Sequence, residues 1–362
     1  MTRHEQRRTA REDAMTTTAP LGRRSLVLGT GALLASGLLA ACGGEPAAPP
    51  APPTGKELAQ PTPVQTAEQL GAIVPAISAA VTAADKARDV KELAPRVVGS
   101  AVDFRRYAYA MIEKAKEWAE ELHVPGESII VPMTSVDSEF PRVAVVLVED
   151  AAKDGVPYFM ALQQADARSP YTTWGWAQQA VGVEMPMVPN ELVGADPVGP
   201  DTEGLLMTPK EAMALYAKVL TDGDSADPDD LLAENPFQTA AHANIQAERK
   251  ELNAGVEWDE AATIRETYEV KDGELLGLRT DDGGALVLGT LVSRRKVTIK
   301  DSATMRYEKD NKYTKVIGEK EFTSEYVRRY GTHVALYIPS KEAGGAIQPI
   351  GATQTVLEVS GK

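Results

Sequence analysis

The single cysteine of the chain, Cys42, stands between an uncharged apolar run and a segment rich in proline. Because a disulfide needs two thiols, no intramolecular disulfide can stabilise the fold. Residues 43–65 carry seven prolines and almost no side chain suited to a core, so residues 42–65 predict an extended, disordered linker. These features confine the folded part to residues 66–362, which must rely on a hydrophobic core of their own.

The run before Cys42 has the composition of an export signal. Residues 26–41 are uncharged and mostly apolar, and they follow the basic pair Arg23-Arg24. The run is too short for an ordinary membrane-spanning helix, but it fits the apolar region of a signal peptide. The sequence is compatible with export by the Sec pathway and with export by the twin-arginine (Tat) pathway. We predict that residues 1–41 are a signal peptide.

The end of this run carries a candidate modification site. The sequence Leu39-Ala40-Ala41-Cys42 resembles the bacterial lipobox, in which diacylglycerol is attached to the thiol and the chain is cut before the cysteine. We therefore predict cleavage between Ala41 and Cys42 and a lipid anchor on Cys42. That anchor would hold the protein on the extracytoplasmic face of the cell membrane.

The charge of the mature chain limits its partners. Without residues 1–41, which hold six arginines and three acidic residues, the chain keeps 32 basic and 49 acidic residues, a net charge near -17. Such a charge opposes binding to nucleic acid or to anionic lipid headgroups.

Helical and strand patterns occur in blocks. In residues 66–205, helical patterns precede strand signals such as "RVAVVLVED", and a proline- and glycine-rich connection follows at 182–205. Residues 206–362 repeat this order. We predict an α+β protein of two domains, 66–205 and 206–362, each with helices packed on a curved antiparallel sheet. This repeated order, helices followed by antiparallel strands, suggests that each domain has the NTF2-like cone fold.

Helix ends are marked by capping residues. Thr66 with Gln69, and Thr208 with Glu211, predict capping boxes, and Asn235 before Pro236 predicts a third helix start. Gly255 is the predicted C-terminal cap of that third helix.

Several stretches resemble a known family. They are "ELAPRVVGSAVDFRRYAY" (92–109), "RTDDGGALVLGTL" (279–291), "THVALYIP" (332–339) and "IQPIGATQ" (347–354). With the lipobox and the proline-rich spacer, they resemble actinobacterial lipoproteins that carry a C-terminal domain of unknown function. The resemblance implies the envelope placement and the architecture, and it assigns no catalytic residue.

The histidines do not form a catalytic pattern. His123, His242 and His333 lie outside any HExxH spacing, and the sequence has neither a GxSxG elbow nor a phosphate-binding loop. His333 falls on a predicted strand and is predicted to be structural. The acidic run at 222–230 misses the EF-hand register and predicts a solvated loop. We predict no catalytic residue, no cofactor and no metal.

One aromatic stretch is a candidate binding surface. "YTTWGWAQQ" contains Tyr171, Trp174 and Trp176, which belong either to the core or, if exposed, to a stacking platform for sugar or peptide. The basic groups Arg105-Arg106, Arg294-Arg295-Lys296 and Arg328-Arg329 predict solvated surface.

Three function classes follow from these patterns. The favoured class is a non-catalytic envelope lipoprotein that binds a surface partner or a small ligand. A solute-binding subunit of an importer is an alternative, although it predicts strands alternating with helices around a parallel sheet. An enzyme that uses an acidic residue in an NTF2-like cavity is the third.

Overall fold

The computed structural model describes residues 61–152 and 155–362. The helices are α1 (Ala67–Ala87), α2 (Gly99–Lys114), α3 (Pro209–Asp222), α4 (Pro236–Leu252) and α5 (Lys312–Ile317), with short 3₁₀ helices at Val90–Leu93, Lys116–Glu121 and Asp224–Ala226. The strands are β1 (Pro125–Thr134), β2 (Arg142–Asp150), β3 (Tyr158–Gln164), β4 (Trp176–Gln178), β5 (Pro197–Val198), β6 (Ala262–Arg279), β7 (Ala285–Ile299), β8 (Met305–Arg306), β9 (Glu321–Phe322), β10 (Glu325–Ile338) and β11 (Gln348–Gly361).

The strands form antiparallel sheets. A four-stranded sheet has the order β1-β2-β3-β4, a five-stranded sheet has the order β11-β10-β7-β6-β5, and β8 pairs with β9. The edge strands β4 and β11 meet, because Gln179 bridges Gly351 and the amide of Ala180 donates to the carbonyl oxygen of Ile350 at 2.7 Å. The predicted α+β class, with helices on antiparallel sheets, is confirmed. The NTF2-like cone stays a prediction.

Strand pairing and a shared core cluster cross the predicted boundary at residue 205, and the division into two domains stays a prediction. The described residues, 61–152 and 155–362, belong to one unit. Strand β5 belongs to the first predicted domain but pairs with β6 of the second. One core cluster combines Val146 and Met160 from the first part with Val297 and Tyr326 from the second. The two parts cohere because their apolar side chains bury one another.

The predicted caps explain where the helices begin. Thr66 and Thr208 form capping boxes with Gln69 and Glu211, and the side chain of Asn235 accepts from the amide of Gln238. These three helix starts are confirmed.

The end of α4 differs from the prediction. The helix stops at Leu252, three residues before Gly255, because the side chain of Asn253 replaces the missing helical bonds. Its amide donates to the carbonyl oxygens of Arg249 and Ala262 at 2.9 Å, and its Oδ1 accepts from the amide of Ala261 at 3.0 Å. The side chain thereby ties the helix end to the start of β6.

Helix α1 is, within the described residues, the one helix long and apolar enough to cross a membrane. In the fold it packs its apolar stripe into the core, where Leu70, Val74 and Ile77 are fully buried. A core helix satisfies the same length and composition test, so its sequence is explained by packing.

Candidate functional site

The predicted lipidation site, Ala41-Cys42, lies outside the described residues. Cleavage and acylation there stay predictions.

The predicted aromatic binding residues lie in the core. Tyr171, Trp174 and Trp176 are 8%, 4% and 3% exposed, respectively. The indole nitrogen of Trp176 donates to the carbonyl oxygen of His123 at 3.2 Å, and the guanidinium of Arg105 lies 5.3 Å from the Trp176 ring centroid. A stacking platform needs exposed rings, so the structure supports the core alternative for this stretch.

His333 belongs to a buried polar group that joins distant parts of the chain. We call Ser100, Glu274, Thr290 and His333 the His333 cluster. The hydroxyl of Ser100 lies 2.9 Å from Nε2 of His333 and 3.4 Å from the hydroxyl of Thr290, and it donates to the carbonyl oxygen of Trp174 at 2.9 Å. The amide of Ser100 donates to Oε1 of Glu274 at 2.7 Å.

Packing closes the His333 cluster. The ring of Phe104 stacks on His333 with centroids 4.8 Å apart. Ser100 and Thr290 are fully buried, and His333 is 4% exposed. Burial lowers the pKa of His333 to about 3, and the nearby charges of Arg105 and Lys271 also lower it. A neutral, enclosed imidazole without access for a substrate indicates a structural role, as its sequence position predicted.

A second polar group lies between α4 and the five-stranded sheet. Arg295 on β7 is the register partner of Glu266 on β6 and of Arg328 on β10. Nε of Arg295 lies 2.6 Å from Oε2 of Glu266, and the hydroxyl of Ser293 donates to Oε1 of Glu266 at 2.7 Å. From α4, Glu248 pairs with Arg328 and approaches Nη1 of Arg295 at 3.7 Å. Two cations therefore face two anions.

Three of these four charges are removed from water, and Glu248 is partly exposed. Glu266, Arg295 and Arg328 are 2%, 7% and 7% exposed, respectively. Burial alone would lower the pKa of Arg328. The interactions with Tyr330 and Glu248 are stronger, so the pKa is raised. Burying charge costs stability unless each group is paired, and breaking such a pair costs about 3–5 kcal/mol. Groups with strongly shifted pKa values cluster at functional sites, which makes this charged group a candidate site.

Tyrosines surround the arginines. The guanidinium of Arg295 lies 5.4 Å from the ring centroid of Tyr330, and that of Arg328 lies 5.1 Å from the ring centroid of Tyr326. Burial raises the pKa of Tyr330 to about 12. Within the described residues, Nε of Arg328 has no hydrogen-bond partner. Buried polar atoms without a protein partner are places where water or a ligand is expected.

An open cavity adjoins this charged group at the end of α4. Its volume is about 290 Å³, near the lower limit for a small-molecule site. We call it the α4 cleft, and its lining residues are Glu248, Glu251, Leu252, Ala261, Ala262, Ile299, Ala303, Thr304, Met305, Arg306 and Tyr307. Glu248 belongs to both features, so an occupant of the α4 cleft would lie next to the buried ion pairs.

The interpretation of the basic groups as solvated surface is wrong for three residues. Arg105, Arg295 and Arg328 are buried, whereas Arg294 and Arg329 are exposed. Because side chains alternate between the faces of a strand, one arginine of each pair on β7 and β10 must face α4. The signal in the sequence was Tyr326 and Tyr330, which lie two positions either side of Arg328 and share its face.

Metal binding finds no support in the described residues. They contain no group of three or more histidine, cysteine or acidic side chains placed to hold an ion. In the acidic run, Oδ1 of Asp224 accepts from the side chain of Gln238 at 3.0 Å, and Oδ2 of Asp227 accepts from the amide of Leu232 at 2.7 Å. These carboxylates order the loop before α4.

Comparison with known proteins gives one match. A family model described as Domain of unknown function (DUF8094) matches residues 61–361. No curated protein and no solved structure matches the chain.

Proposed function

We propose that this chain, which belongs to the DUF8094 family of unknown function, is a non-catalytic lipoprotein of the actinobacterial cell envelope that binds a small ligand in the α4 cleft. Diacylglycerol on Cys42 would hold it on the extracytoplasmic face of the membrane, and the linker would let the folded part reach outward. The lipobox and the export signal in the sequence support this placement.

The observation that carries the binding proposal is the α4 cleft beside buried ion pairs. Leu252, Ala262 and Ile299 give it an apolar wall, while Glu248 and Tyr307 add polar groups. Small-molecule sites combine mostly apolar walls with a few placed polar groups in this way. The His333 cluster is closed by packing, so the α4 cleft is the better candidate.

The strand topology favours a binding module of this kind over an importer subunit. The expectation for a solute-binding subunit is a parallel sheet with alternating helices. The pairs between named strands within the described residues are antiparallel.

A ligand screen on the Cys42→Ser chain, expressed without residues 1–41, tests the proposal. Thermal unfolding would be followed with a panel of small metabolites, because a ligand at about a hundred times its Kd stabilises a protein by about 2.7 kcal/mol. Ala303→Phe fills the α4 cleft, and Ala343→Phe, at an exposed turn, is the matched control. We expect a metabolite to raise the Tm of the parent and of Ala343→Phe but not of Ala303→Phe.

Two results would count against binding in the α4 cleft. One is a panel without any compound that raises the Tm. The other is a set of compounds that stabilise Ala303→Phe as much as the parent, because those compounds would bind elsewhere.

A further inference from the structure

The charges around the α4 cleft do not cancel. Glu248 shares Arg328 and Arg295 with Glu266, so that group is neutral as a whole. Arg306 pairs with Glu321, with Nε and Oε1 3.0 Å apart.

The remaining lining charge is Glu251, which forms no ion pair within the described part of the chain. The lining of the α4 cleft therefore carries one uncompensated negative charge.

The helix end adds to this negative potential. Glu248, Glu251 and Leu252 line the α4 cleft from the last turns of α4, which ends at Leu252. The basic residues of the last turn, Arg249 and Lys250, do not line it, and Arg249 pairs with Asp259. The C-terminal end of a helix carries a partial negative charge, equivalent to roughly half an electron, from carbonyl groups without helical partners. Carboxylates at this end are unfavourable for the helix itself. Their position is costly for folding and useful for holding a cation.

The other walls suit a cation that has an apolar body. Leu252, Ala262, Ile299 and Ala303 present aliphatic carbon, and Tyr307 provides an aromatic ring. Burial raises the pKa of Tyr307, so the phenol stays neutral at physiological pH. Organic ammonium groups bind where carboxylates and aromatic faces combine, at a gain of about 0.5–2 kcal/mol for the aromatic contact.

We infer that the ligand of the α4 cleft is a small organic cation, a protonated amine or quaternary ammonium group on an apolar body, whose charge lies against Glu251 and the end of α4. This inference rests on the proposed function, since it names the ligand class of that same site. A simple metal ion fits less well, because hard cations need several oxygen ligands and half of this wall is aliphatic.

A matched series of probes tests the inference. Cyclohexylamine, cyclohexanol and cyclohexanecarboxylate share one ring and differ in charge. Each would be titrated at millimolar concentration into the Cys42→Ser chain, with amide chemical shifts recorded by NMR. We expect the amine to bind most tightly, the alcohol more weakly and the carboxylate not at all. Because salt screens an exposed charge, the preference for the amine should shrink as sodium chloride is raised.

Substitution at Glu251 isolates the charge. Glu251→Gln should weaken amine binding about three- to fivefold and leave alcohol binding unchanged, since a partly exposed ion pair contributes little more than this. Glu257→Gln removes an exposed carboxylate six residues away that does not line the α4 cleft, and it should leave both affinities unchanged.

The outcomes separate the ligand class from the site. If the alcohol or the carboxylate binds as tightly as the amine, and Ala303→Phe abolishes that binding, the cationic class is wrong and the proposed site stands. If all three probes act equally on the parent and on Ala303→Phe, the site itself is refuted. Equal amine affinity in Glu251→Gln and the parent would refute the role of Glu251.

Discussion

The buried His333 predicts a specific loss of stability in acid. Burial lowers the pKa of this imidazole from 6.5 to about 3, so the folded protein keeps it neutral while the unfolded chain is protonated below about pH 6.5. In this window the unfolded state binds more protons, and the free energy of unfolding falls as the pH falls. The slope is about 1.4 kcal/mol per pH unit, which gives a loss of about 2 kcal/mol from His333 between about pH 7 and about pH 5.

The assay compares the wild type with His333→Gln. Glutamine does not titrate and can still exchange a hydrogen bond with the Ser100 hydroxyl, which lies 2.9 Å from Nε2. Urea unfolding at the two pH values gives the free energy of unfolding of each protein. Other titrating groups, including the half-buried His123, are common to both proteins and cancel in the difference. Equal losses in both proteins would refute the reasoning, whatever their stabilities at neutral pH.

Three further predictions concern the lipid anchor, the closely packed Gly331 and the connection at 182–205. Cys42→Ser should move the protein from the detergent phase to the aqueous phase in a partitioning assay, and equal partitioning of both forms would contradict lipidation. Gly331→Ala should lower the free energy of unfolding by about 1–3 kcal/mol, because its Cβ would overlap the ring of Phe104. Gly71→Ala, at an open position in α1, should instead raise the free energy of unfolding by up to about 1 kcal/mol. A lower free energy of unfolding in Gly71→Ala would show that the space around each glycine does not decide the effect. Limited proteolysis should cut first within 182–205, and the fragments should co-elute on gel filtration because they share a core. Separate elution would instead support two separable domains.

The local features of the fold could be predicted from the sequence because their causes are local. Thr66 and Thr208 fix helix starts through contacts three residues away, so the capping signals were sufficient. The two-residue alternation of the long C-terminal strands likewise follows from neighbouring residues. The end of α4 was missed because Asn253 is satisfied by Ala261 and Ala262, across a turn that the pattern does not reveal.

The candidate site could not be predicted, because strand register creates it. Arg295 and Arg328 are 33 positions apart and become neighbours only when β7 pairs with β10. Glu266 joins them through β6, and Glu248 arrives from a helix. Each arginine has an exposed neighbour of the same charge, so the sequence around it predicts solvated surface. The alternation of side chains along each strand predicts that one arginine of each pair is buried. It does not predict which acidic residue pairs with that arginine.

Tyr171, Trp174 and Trp176 are buried because the parts of the chain before and after residue 205 pack against each other. These residues come just before the connection at 182–205. If two separate domains met at that connection, the rings would be exposed to water on one side. In the structure α2 and β10 cover that side, with His333 6.2 Å from both tryptophan ring centroids. The aromatic stretch therefore joins the two parts of the fold. Large aromatic side chains beside a proposed linker therefore indicate that the parts on either side pack together, since independent domains would expose those side chains to water.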